Sequence, residues 1–128
     1  MSERVWLKSG AYLVIQPTEA LTVVDVNTGK NVAKKEMQEN FLRVNKEAAE
    51  EIARQLRLRN LSGMVLVDFI NLTSKSAEEE LLKTFRAALQ KDPVPAQLID
   101  MTALGLVEVT RKKIKRPLHE IFPDGLGF

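Results

Sequence analysis

The chain alternates short segments rich in Val, Leu and Ile with two longer stretches in which apolar residues recur every three or four positions. RVWLK and YLVIQ are strand-like and separated by Ser9-Gly10-Ala11, which reads as a hairpin turn, with Pro17 ending the second strand. Leu21 to Asn27, LTVVDVN, reads as a third strand. Side chains alternate along it, so Val23, Asp25 and Asn27 share one face and Val24 and Val26 the other. From about Lys35 to Arg59, the positions Met37, Phe41, Val44, Ala48, Ile52 and Leu56 form one helical stripe. Acidic residues precede Arg54, Arg57 and Arg59 in this segment, an order that complements the helix dipole.

Gly63 leads into Met64 to Phe69, a nearly continuous apolar run of the kind expected for a central strand covered on both sides. Ser76 with Glu79 forms a capping-box pattern ahead of Leu81, Leu82, Phe85, Ala88 and Leu89. A second helix should therefore run to about Lys91, stopped by Pro93 and Pro95. Short strands follow at 97–99 and 106–110. The expected fold is α/β, a mixed sheet with two main helices in the order β-β-β-α-β-α-β-β. One unit is expected over 1–116, with an irregular tail at 117–128, where two Pro and two Gly interrupt any periodicity.

Strand, long helix, strand is a crossover unit, which almost always leaves its two strands parallel. Their carboxyl ends then meet at the sheet edge where ligand sites of open α/β sheets collect. Asp25 and Asp68 end these strands, so they are expected to converge. Close carboxylates raise one another's pKa unless a cation lies between them. Asp and Asn oxygens, with no cysteine and the single His119 in a Pro-flanked tail, suit Mg²⁺ or Mn²⁺ and offer no thiolate zinc site. Such a site performs phosphoryl transfer or phosphodiester cleavage. Equally, Asp is a common turn residue and each could simply end its strand. The residues alone leave both readings open. Gly29-Lys30 lacks the rest of a phosphate-binding loop.

Composition narrows the setting. A chain of 128 residues fits one domain, and the absence of cysteine fits a reducing compartment. No apolar run approaches the roughly 18 residues of a membrane span, and no secretory signal pattern opens the chain. A soluble, cytoplasmic protein is expected. The net charge of +2 hides a cluster: Arg111, Lys112 and Lys113 open the run RKKIKR, which holds five of the 19 basic residues. That run reads either as a patch that tracks phosphates or as a solvated strand end. Aromatic residues are few, and no adjacent Phe or Tyr form a stacking platform in the sequence.

Three stretches taken together, SGAYLVIQPTEALTVVDVNTGK, NKEAAEEIARQLRLRNLSGMVLVDFINL and LGLVEVTRKK, resemble the catalytic core of the ribonuclease E/G family over roughly residues 9–113. The form LGLVEVTRKK leans toward the ribonuclease G branch. The resemblance implies a deoxyribonuclease-I-like subdomain in which Asp25 and Asp68 hold a catalytic Mg²⁺ with Asn27 beside them. It implies hydrolysis of single-stranded RNA by metal-activated water, leaving a 5′-phosphate, in full-length proteins that are homo-oligomeric. The chain departs from the family at Asn71, where a further Asp is usual, and at Ala103-Leu104, where the other branch has Arg-Phe. The family's RNA-gripping parts are not among these residues. The isolated chain, expected as a monomer, should fold, bind Mg²⁺ weakly and cleave RNA poorly or not at all. The alternative is a non-catalytic domain that binds RNA or protein through the 111–116 run.

Overall fold

In a computed structural model, which describes residues 3–28 and 37–113, the chain forms one six-stranded sheet with two helices. The elements are β1 (Glu3–Trp6), β2 (Tyr12–Pro17), β3 (Leu21–Asn27), α1 (Met37–Leu58), β4 (Gly63–Asp68), α2 (Lys75–Leu89), β5 (Ala96–Met101) and β6 (Val107–Arg111). Their order along the sheet is β1-β2-β3-β4-β6-β5. All neighbours are antiparallel except β3 and β4, which pair in parallel as the crossover requires. The mixed α/β architecture follows the expected element order.

Both helices lie on one face. Leu13, Ile15, Val24, Val26, Val65, Val67, Val107 and Val109 point toward them and are buried with Ala48, Ile52, Leu56, Leu81 and Phe85. Burying each of these larger side chains contributes roughly 1.5–3 kcal/mol. Among the described residues nothing covers the other sheet face, which corrects the expectation that β4 is covered on both sides. Met64 sits on that face, exposed, and Leu66 is only half-buried. An apolar run cannot reveal by itself that one of its two faces lacks a covering layer.

Helix ends explain the loop geometry. Asn60 takes a left-handed φ of 52° after α1, and the Leu61 N–H returns to the Leu56 carbonyl at 3.0 Å, a Schellman-type stop. At α2 the cap is Ser74, whose hydroxyl accepts from the Ala77 N–H at 3.3 Å. This corrects the expected cap at Ser76, whose hydroxyl instead pairs with that of Ser74 at 2.9 Å. The loop before the cap is held from α1, where Gln38 accepts from the Thr73 N–H at 2.9 Å. A pairing between loop and distant helix is invisible to a local capping pattern.

Candidate metal centre

Asp25 is flanked by Val24 and Val26, and Asp68 by Val67 and Phe69, all four buried. Alternation therefore turns both carboxylates out onto the bare face. The β3–β4 register makes Asp25 and Asp68 direct partners, on strands about 4.8 Å apart. Phe69 anchors its end by packing edge-on against Phe85, with ring centroids 5.5 Å apart. Two acidic side chains are thus held side by side by the burial of their neighbours.

The electrostatics agree with that geometry. Partial burial first, and the charge of Asp68 second, push the Asp25 carboxyl above its ordinary value, against a hydrogen bond from the Val26 N–H. A divalent cation between the two carboxylates would remove that repulsion, and hard oxygen donors of this kind fit Mg²⁺. Among the described residues no group of three or more His, Cys, Asp or Glu side chains is gathered to hold a metal. The remaining positions would fall to water and substrate, as is usual for Mg²⁺. Asn27 shares the face of Asp25, two residues along β3. A small cleft of about 200 Å³ opens beside Asp68, lined by Phe69, Asn71, Met101, Leu104 and Gly105.

The segment after Asp68 is pinned by a residue the sequence reading did not single out. Asn45, fully buried on α1, donates to the Ile70 carbonyl at 2.8 Å and accepts from the Ile70 N–H at 2.9 Å. Its mark in the sequence is a lone amide inside the stripe Val44, Ala48, Ile52.

The basic run behaves otherwise. Arg111 is not an RNA-facing residue: it is 2% exposed, and its guanidinium donates to Asp92 at 2.7 Å, to Asn60 at 3.0 Å and to the Leu61 carbonyl at 3.0 Å. A terminal Arg on an alternating strand turns inward when a buried carboxylate waits there, and position alone does not show it. Lys112 and Lys113 are exposed. Gly63 pairs with Arg111, so they lie at the opposite end of β4 from Asp68, roughly 17 Å away along the strand. The remainder of the run, His119 and Gly29-Lys30 lie outside the described residues.

Residues 1–114 match the Ribonuclease E/G family. Ribonuclease E of Nostoc sp. is 47% identical over 124 residues, covering 97% of this chain and 18% of that protein. Ribonuclease E of Synechocystis sp. is 46% identical over 122 residues, 95% of this chain and 18% of that protein. Ribonuclease G of Escherichia coli is 41% identical over 121 residues, 94% of this chain and 25% of that protein. Relatives of both names match, and the chain spans a quarter or less of these relatives' length.

Proposed function

Because the chain belongs to the Ribonuclease E/G family, we propose that it is the catalytic segment of a cytoplasmic endoribonuclease that hydrolyses single-stranded RNA in processing and decay. The in-register pairing of Asp25 with Asp68 on the open sheet face carries the reading. In it, the two carboxylates hold Mg²⁺, or Mn²⁺, and Asn27 offers its amide to a phosphate oxygen on the same face. The ion, when bound, supplies an activated water and neutralises charge gathering on the phosphate. Asn45 keeps Asp68 aimed by fixing the backbone at Ile70. Sidedness favours an extended substrate. The bare face lets a strand of RNA lie across the sheet, and the lysines at the far end of β4 meet its phosphates away from the reacting bond.

Mg²⁺ titration by calorimetry on the 128-residue chain tests the metal half of this reading, with Asp25→Asn and Asp68→Asn each expected to abolish binding while circular dichroism stays unchanged. Placed in a full-length relative that carries this segment, either change should lower Mg²⁺-dependent cleavage of a short RNA by a factor of about 100 or more. Unaltered cleavage would sink the proposal.

A further inference from the structure

Trp6 and Tyr12 are separated in sequence but are direct partners across the β1–β2 hairpin. Their rings lie 4.9 Å apart, tilted by 52°. The Arg4 guanidinium sits 4.3 Å above the Tyr12 ring and 5.7 Å from the Trp6 ring. Register places all three on the bare face, since Tyr12 pairs with Asn27, and Val14 with Asp25. Tyr12 is thus the diagonal neighbour of Asp25, about 7–8 Å away between Cα atoms. The indole is 61% exposed. Arg4 makes no ion pair among the described residues, so its plane is held by the rings alone.

From this cluster we infer that Arg4, Trp6 and Tyr12 form a nucleobase-stacking subsite that holds the base next to the phosphate seated at Asp25 and Asp68. An exposed indole beside a guanidinium stacked on a phenol presents π-faces and a positive charge, the combination that receives unpaired bases without regard to sequence. An apolar protein partner would leave the Arg4 charge buried without a carboxylate, which is costly. An extended strand crossing this face would pass from Asp25 over Tyr12 to Trp6, on successive strands of the sheet. The inference rests on the reading that single-stranded RNA is the substrate, and it can fail separately from the metal assignment.

Trp6 is the chain's only tryptophan, so its fluorescence reports on the subsite directly. The 128-residue chain is titrated in EDTA with ten-nucleotide oligo(A) and oligo(U) and with an abasic ribose-phosphate strand of equal length, binding being followed in parallel by anisotropy. Both base-bearing strands should quench Trp6 and the abasic strand should not. Trp6→Ala should weaken oligo(A) binding about tenfold, with Tyr12→Ala and Arg4→Ala acting in the same direction and Trp6→Phe nearly silent. Equal quenching by the abasic strand overturns the inference, as does binding that ignores Trp6→Ala, or no binding at all. The Asp25→Asn, Asp68→Asn double variant should keep the quenching. Mg²⁺ binding that survives in that variant sinks the metal reading while leaving the stacking subsite standing.

Discussion

Asn45 closes a pair of hydrogen bonds with the backbone of Ile70, donating at 2.8 Å and accepting at 2.9 Å from a helix that lies 25 residues earlier in the chain. It imitates, with one side chain, the exchange that two strands make, and so extends the order of β4 past Asp68. Asn45→Ala would strand both Ile70 groups and should cost about 2 kcal/mol in urea unfolding. Mg²⁺ affinity should fall several-fold as the backbone after Asp68 loosens. Asn45→Asp loses the donor and buries a carboxylate against the Ile70 carbonyl, so at neutral pH it should cost at least as much as Asn45→Ala.

Asp25 should behave as a strained group until a cation arrives. Its folded pKa lies above the ordinary value, so its ionisation disfavours the folded state as pH rises through that folded pKa. In EDTA at pH 7–8, Asp25→Asn should melt higher than the parent, by no more than about 4 °C. The gap should close below about pH 4, where both side chains are neutral. Added Mg²⁺ should reverse the order, because only the parent gains from binding. Thermal melts at two pH values, with and without Mg²⁺, read all of these outcomes.

The Asp92–Arg111 pair should show the opposite pH sign. Burial alone would raise the Asp92 carboxyl, but hydrogen bonds from Arg111 and the Val94 N–H, with the charges of Arg111 and Arg57, outweigh it and hold it below the ordinary value. The stability it contributes is present above the ordinary carboxylate pKa of about 3.9 and is lost as pH falls through the depressed one. Asp92→Ala leaves the Arg111 cation buried without its carboxylate and should cost about 3–5 kcal/mol in denaturant unfolding. The Asp92→Leu, Arg111→Met double variant should cost less than either single change.

Lys112→Ala with Lys113→Ala should weaken RNA binding and reduce the salt slope by about 1–2. Mg²⁺ affinity should not move, since the lysines and Asp68 occupy opposite ends of β4. Filter-binding titrations at several salt concentrations separate this effect from a misfolded variant, which would lose metal binding as well.

The elements were legible because each announces itself locally: LTVVDVN alternates, α1 keeps its stripe, and Pro93 and Pro95 stop α2 near Leu89. The meeting of Asp25 and Asp68 followed from crossover topology, which needs only strand direction. What escaped was every relationship between distant residues that share no pattern. Trp6 and Tyr12 are five residues of hairpin apart, so no adjacent aromatics hinted at their contact. Arg111 looked like its neighbours Lys112 and Lys113 until Asp92 was found facing it. Asn45 looked like any polar residue of a helix until Ile70 arrived beside it.

The parallel pairing of β3 with β4 has a consequence for how the centre comes into being. Its two carboxylates belong to strands joined through the whole of α1, and closing so long a loop precedes any reward from the contact. An unfolded chain therefore holds two distant aspartates and no chelate. If the proposed centre takes Mg²⁺, the ion would bind only after α1 has docked and set β3 beside β4, so its binding would report on the folded state.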